Sequence, residues 1–140
     1  MRRVAIRVAA MTMLAAGSLL MMAAGSHWRS KVPREERARV NPYANKPEAV
    51  AAGRLLFEEH CAKCHGEDAL GRHGRPSLRG EEVRGATDGE LFWLLRNGST
   101  WKGMPSWSAL PEPERWQLIA YLRSLPPAND RPQPDARESR

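Results

Sequence analysis

Apolar positions in the middle of this chain recur every three or four residues, and no stretch of useful length alternates apolar with polar. That spacing predicts helices and no sheet. The first helix is expected from Pro47, a favourable first-turn residue, to about His60. Val50, Gly53 and Phe57 fall on one face of it, and Leu56 widens that face. Gly53 costs about 1 kcal/mol relative to Ala inside a helix; a close crossing with another helix would explain its presence. Thr87-Asp88-Gly89-Glu90 has the form of a capping box. It opens a second helix through Leu91, Phe92, Leu94 and Leu95, which Asn97-Gly98 should stop. A third runs from about Glu112 to Leu125, with Leu118, Tyr121, Leu122 and Leu125 as its apolar stripe. Pro126-Pro127 ends it.

The segments between these helices are long. Residues 66–86 hold five glycines and Pro76, and residues 98–110 hold Trp101, Met104, Pro105 and Trp107. Irregular stretches of this length are unusual in a compact domain unless they wrap something. Residues 26–46 read as a charged linker, with Arg34-Glu35-Glu36-Arg37 flanked by Pro33 and Pro42. Residues 126–140 are polar and Pro-rich, and disorder is expected there. The first 25 residues read as an export segment: Arg2, Arg3 and Arg7 precede an uncharged run, with small residues at Ala23 and Gly25. Cleavage after Gly25 makes it a signal peptide. Retention makes it a membrane anchor, although the 17 residues of Val8–Ala24 fall just short of the ~20 that span a bilayer. Trp28 sits where an interfacial anchor would. Both readings carry the domain out of the cytoplasm.

Charge changes the picture by where it lies. The formal charge of +6 divides into +3 on residues 1–25, +4 on 26–46, −1 on 47–125 and 0 on 126–140. The helical region is therefore nearly neutral, and the basic balance gives no footprint for a nucleic-acid partner.

Cys61-Ala62-Lys63-Cys64-His65 is the chemically specific stretch. Two thiols three positions apart, followed at once by an imidazole, can attach a haem through two thioethers and ligate its iron. The long irregular segments then have a large apolar body to wrap. Met104 is the only one of six Met residues outside the export segment, and it lies between Gly103 and Pro105 in a loop. A thioether there can close over the second face of a haem, and His/Met ligation raises the reduction potential. His60 and His73 are the rival second ligands. A zinc site needs four ligands, and Cys61, Cys64 and His65 supply three on a cramped segment. A thioredoxin-like motif expects a βαβ setting, and none is visible. A disulfide across a two-residue gap stabilises little and leaves His65 without a role.

With these residues in hand, residues from about 47 to 125 resemble a class I c-type cytochrome of the small bacterial kind. The resemblance rests on Gly53 and Phe57, Cys61-Ala62-Lys63-Cys64-His65-Gly66, Pro76 with Leu78, Asn97-Gly98, Gly103-Met104-Pro105 and the Tyr121-Leu122 pair. It implies an all-α cytochrome c fold, with three main helices around one covalently bound haem c. The first and last helices would cross at the Gly and aromatic positions. It further implies that Cys61 and Cys64 hold the haem, that His65 and Met104 ligate the iron, and that the Pro76 carbonyl accepts the proton of His65. The function implied is single-electron transfer in the periplasm or another extracytoplasmic compartment, free or anchored through residues 8–24, and not an enzyme in itself. Partners would be redox proteins: a donor dehydrogenase or quinol-oxidising complex, and an acceptor oxidase. The alternatives are a haem c subunit of a periplasmic oxidoreductase complex, or a ligand-binding or peroxidase-like haem protein if Met104 does not ligate.

Overall fold

The computed structural model describes residues 28–130. The expected export segment and the tail from residue 131 onward lie outside them. The described residues form helices α1 (Arg34–Arg37), α2 (Pro47–His60), α3 (Ala62–His65), α4 (Glu81–Arg84), α5 (Asp88–Asn97) and α6 (Glu112–Ser124). Single 3-10 turns stand at Arg29–Lys31, Thr100–Lys102 and Ala128–Asp130. Among the described residues, the one β-type pairing is an antiparallel bridge between Ser99 and Met104. The three long helices fall where the apolar periodicity puts them, and α4 breaks the segment expected to be irregular.

Gly53 decides how α2 meets α6. A Cβ at that position would lie 2.0 Å from the Gln117 carbonyl oxygen and 2.9 Å from Tyr121 Cβ. Only hydrogen fits there, so the two backbones touch. One turn on, the rings of Phe57 and Tyr121 pack tilted with centroids 5.3 Å apart, a favourable aromatic geometry. The expected crossing at the Gly and aromatic positions is the one observed.

The core continues through Leu91, Phe92 and Leu95 of α5 and Trp116, Leu118 and Ile119 of α6. Phe92 stacks on Trp116 at 4.1 Å. Burial of each such side chain contributes about 1.5–3 kcal/mol. The expected stripe on α6 was incomplete. Leu118 is buried, and Tyr121, Leu122 and Leu125 pack at the edge, but Trp116 and Ile119 are buried as well, and it is Trp116 that stacks on Phe92 of α5. The capping box of α5 forms as expected: Thr87 Oγ1 accepts from the Glu90 amide, and Glu90 returns the bond to the Thr87 amide.

The linker expectation for 26–46 does not hold for its described part, residues 28–46. Trp28 and Val32 are buried in the core. The Arg29 guanidinium donates to the buried Glu90 carboxylate at 3.0 and 3.2 Å. Glu36 accepts from Arg96 at 2.7 Å, and Asn41 donates to the Trp116 carbonyl at 2.9 Å. Arg39 lies over the Phe92 ring, 4.3 Å from its centroid. At Gly89 a Cβ would fall 1.9 Å from the Glu36 carbonyl oxygen, so α1 sits directly on α5. The physical reason is that charges of this strap find partners on the domain, and Trp28 and Val32 find the core, with Tyr43 packed against it and Val40 left exposed. The start of the expected tail is also held: Arg79 donates to the Pro126 and Pro127 carbonyls at 2.6 and 3.1 Å.

Candidate haem site

The site begins where α2 ends. The Cys61 amide still bonds to the Phe57 carbonyl at 2.8 Å, closing α2. The chain turns at once into α3, where the Cys64 and His65 amides bond to the Cys61 carbonyl at 3.1 and 2.9 Å. Cys61 and Cys64 are thus one helical turn apart and share a face, with His65 directly after. Gly66 ends the turn with φ of +83°, a conformation that favours glycine.

Neither thiol is in a disulfide; Cys61 is half-buried and Cys64 exposed. Burial pushes the Cys61 thiol up to about 11, and the neighbouring Cys64 adds to the shift. Thiols that work in disulfide exchange are instead held low by positive charge or a helix N-terminus. Burial of Cys61 therefore works against the thiolate that disulfide exchange needs at that sulfur.

His65 Nδ1 lies 3.0 Å from the Pro76 carbonyl oxygen. A carbonyl can only accept, so Nδ1 is the donor, which in the neutral ring leaves the lone pair on Nε2. This is how a neutral imidazole is prepared as an iron ligand. The loop after α3 brings Pro76 there. The Gly71 amide bonds to the His65 carbonyl at 2.8 Å, and the Leu78 amide to the Ala69 carbonyl at 2.8 Å. Gly71 has φ of +85°, and a Cβ on it would lie 2.4 Å from the Arg75 carbonyl oxygen. A side chain at Gly71 would push the Pro76 segment off its path. Gly71 is a positioning residue the sequence reading missed; it stood among five loop glycines, with nothing local to single it out.

Met104 is half-buried and packs against the core from the loop after α5. Asn97-Gly98 does stop α5, and the reason goes beyond a helix end. Gly98 has φ of +71°, and a Cβ there would meet the Pro105 backbone at 2.6 Å. Residues 99–104 form a small hairpin: the Ser99 amide donates to the Met104 carbonyl at 2.9 Å, and the Met104 amide to the Ser99 carbonyl at 3.1 Å. The Trp107 amide bonds to the Leu95 carbonyl at 2.8 Å, and Ser106 Oγ to the Arg96 carbonyl at 2.6 Å, lacing this loop to α5. The buried Arg115 guanidinium serves the carbonyls of Trp107, Ser108 and Leu110.

The rival histidines are placed elsewhere in the loops and helices. His60 packs on the Trp107 ring at 5.1 Å, with Nε2 3.8 Å from the Glu59 carboxylate. His73 is exposed in the glycine loop with φ of +50°. The residues that fit a covalent haem are present in the needed chemistry: two free thiols on one turn, and an adjacent imidazole with its tautomer set.

Residues 48–122 match the family model described as cytochrome c oxidase, cbb3-type, subunit III. The match covers more than half of the chain. The chain belongs to the cytochrome c family.

Among curated relatives of this cytochrome, the cbb3-type cytochrome c oxidase subunit CcoP of Rubrivivax gelatinosus is 34% identical over 59% of this chain and 28% of its own length. The corresponding subunit FixP of Sinorhizobium medicae is 34% identical over 60% of this chain and 32% of its own length. The chain thus spans about a third of those two subunits. Cytochrome c550 of Pseudomonas aeruginosa is 31% identical over 72% of this chain and 69% of its own. Among solved structures, cytochrome cL of the methylotroph Methylophaga aminisulfidivorans superposes with a TM-score of 0.54 at 30% identity, covering 61% of this chain and 58% of that one. Cytochrome cL of Hyphomicrobium denitrificans gives 0.55 at 23% identity, over 72% and 67% respectively, which speaks to the fold alone. The chain is a small monohaem class I domain of the electron-carrying c-type cytochromes. Among the described residues no helix is long and apolar enough to cross a membrane.

Proposed function

We propose that this cytochrome carries single electrons through one haem c, which Cys61 and Cys64 would hold by thioethers and whose iron His65 Nε2 and Met104 Sδ would ligate. The observation that carries the reading is the bond from His65 Nδ1 to the Pro76 carbonyl at 3.0 Å. It orients the ring, raises its basicity and leaves the other nitrogen for iron. The haem supplies the Fe(III)/Fe(II) couple. The chain supplies the rest: covalent attachment on α3, a fixed imidazole, a sulfur on the hairpin of residues 99–104, and a helical core that keeps water off one side. If His65 and Met104 both hold the iron, no position on it would be left for a substrate, and the chain would act as a carrier and not itself as an enzyme. Its place is extracytoplasmic, delivered by residues 1–25, as signal or as anchor. The partners are a donor dehydrogenase or quinol-oxidising complex and an acceptor oxidase.

Haem staining after denaturing gel electrophoresis tests the attachment. Stain should run with the polypeptide and vanish in the Cys61→Ser, Cys64→Ser double variant. Two titratable thiols in the unfolded, reduced mature protein would reject it.

A second reading has its own support in the family description, which is that of an oxidase subunit. In that reading the same domain passes electrons inside a larger complex. Native gel electrophoresis of gently solubilised membranes separates the two. Haem stain running far above the mass of this chain favours the subunit; stain in the soluble fraction at monomer mass favours the free carrier.

A further inference from the structure

The loop that presents Pro76 and the hairpin that carries Met104 are far apart in sequence, and one side chain joins them. Arg75, the residue before Pro76, donates from its guanidinium to the Lys102 backbone carbonyl at 2.6 Å. Its own backbone is fixed from behind: the Arg75 amide bonds to the Arg72 carbonyl at 2.9 Å, and its carbonyl presses on Gly71. The guanidinium also lies across Gly103, where a Cβ would meet Nη1 at 2.7 Å and Nη2 at 3.2 Å. Gly103 therefore does two things. It takes the left-handed turn at φ of +77° that leads into Met104, and it leaves room for the guanidinium. Among the described residues no carboxylate pairs with Arg75; like Arg79 and Arg115, it gives its guanidinium to backbone carbonyl oxygen. The cation is spent on the hairpin.

We propose that Arg75 is a positioning residue, a latch that holds the hairpin of Ser99–Met104 closed against the loop presenting Pro76 to His65. The inference rests on the reading of Met104 as the second iron ligand, because its consequence for function is that the latch keeps the sulfur from being displaced. The hairpin is otherwise closed by two backbone bonds between Ser99 and Met104, by the bonds from the Lys102 amide to Ser99 and from the Gly103 amide to Thr100, and by the packing of Met104. A charge-assisted bond at its turn raises the free energy of opening.

The test uses the haem-loaded full chain and three variants: Arg75→Ala, Arg75→Lys and Lys102→Ala. Two readouts are taken. One is amide hydrogen exchange at Ser99 and Met104, which reports hairpin opening whatever ligates the iron. The other is the affinity of the ferric protein for imidazole, which competes for the second axial position. Arg75→Ala should raise both by about fivefold to tenfold, tenfold being about 1.4 kcal/mol. Arg75→Lys keeps a cation and a donor and should recover part of the change. Lys102→Ala keeps the carbonyl that accepts the bond, so both readouts should stay within about twofold of the parent, as expected for an exposed side chain. Unchanged exchange in Arg75→Ala overturns the latch, as does a Lys102→Ala variant that behaves like Arg75→Ala, since lost positive charge would then suffice. If exchange rises but imidazole affinity does not, the latch stands and the ligand reading of Met104 fails. If Arg75→Ala does not load haem, Arg75→Lys still decides: it should fall between parent and full opening, and parent-like exchange with no loss overturns the latch.

Discussion

Replacing Gly53 with alanine tests the helix crossing on which the site is built. The two terms have opposite signs. In an isolated helix the change would stabilise by about 1 kcal/mol, because Ala is the better helix former. In the fold, the new Cβ would lie 2.0 Å from the Gln117 carbonyl oxygen and 2.6 Å from its carbon, where ordinary contact begins near 3.4 Å. The obstruction is backbone of a packed helix and not the end of a flexible side chain, so α2 and α6 must separate by roughly an ångström. Overpacking of this kind costs about 1–3 kcal/mol, and a backbone obstacle puts it at the upper end. The net is a loss of about 2 kcal/mol. For a domain of this size that lowers Tm by roughly 8–16 °C. Circular dichroism of the haem-loaded protein, heated with and without urea, measures it. Ala51→Gly, on the exposed face of the same helix, is the control and should lose only about 1 kcal/mol. If Gly53→Ala is as stable as the parent or more so, helix propensity has won, and the crossing is not as tight as described.

Three further outcomes are expected. Met104→Ala should keep the haem attached while the Met-to-iron absorption band disappears and the reduction potential falls, since the soft sulfur favours ferrous iron; an unchanged spectrum and potential would remove Met104 from the iron. Glu90→Ala should cost about 2–3 kcal/mol, because it breaks the capping box and leaves the partly exposed Arg29 without its buried carboxylate; a loss under about 0.5 kcal/mol in urea unfolding would mean that the strap is not held there. The strap should also loosen in acid. Burial pushes the Glu36 carboxyl up, but bonds from Arg96 and Arg39 outweigh it and hold the group below its ordinary 4.5. Bonding to the Trp116 indole, against burial, and then Arg39 hold Glu112 below the same value. A carboxyl held low in the folded state stabilises fully above its unfolded value and loses that contribution as pH falls through the folded value. The Asn41 side-chain amide resonances, held on the Trp116 carbonyl, should therefore shift below pH about 4.5, and less so in a Glu36→Gln, Glu112→Gln variant; equal acid dependence in both proteins would refute the assignment.

Features of the fold that depend on neighbours in sequence were readable without coordinates. The Cys61-to-His65 run and the capping box of Thr87 and Glu90 each act within one or two turns, so spacing alone exposes them; Gly53 meets the distant backbone of Gln117, and its crossing was reached through the family resemblance. Pro76 was reached through the family resemblance, and the structure supplies the contact to His65. What escaped notice depends on pairs that are distant in sequence. Arg29 meets Glu90 and Glu36 meets Arg96 across about sixty positions, so 28–46 looked like a solvated charge run. Gly71 and Gly89 are tight only because of backbones that fold back onto them. On α6, Trp116 stacks on Phe92 of α5 while Tyr121 packs on Phe57 of α2. A helix packed on two sides has no single stripe for periodicity to find.

The strap changes what counts as the folding unit. The family match begins at residue 48, and a boundary drawn there would be natural from similarity alone. It would remove Trp28 and Val32 from the core, strip Arg39 from the face of Phe92, and leave Glu90 buried without Arg29. A small domain has few core side chains to spare, and an unpaired buried carboxylate is costly. Gly89 shows that the attachment is built in. That glycine leaves space for the Glu36 carbonyl where any other residue of α5 would hold α1 away. The haem domain therefore starts no later than Trp28, and no slack linker lies between that residue and α2. Trp28 itself belongs to the same core cluster as Phe57 and Ala62, which flank Cys61 in the chain.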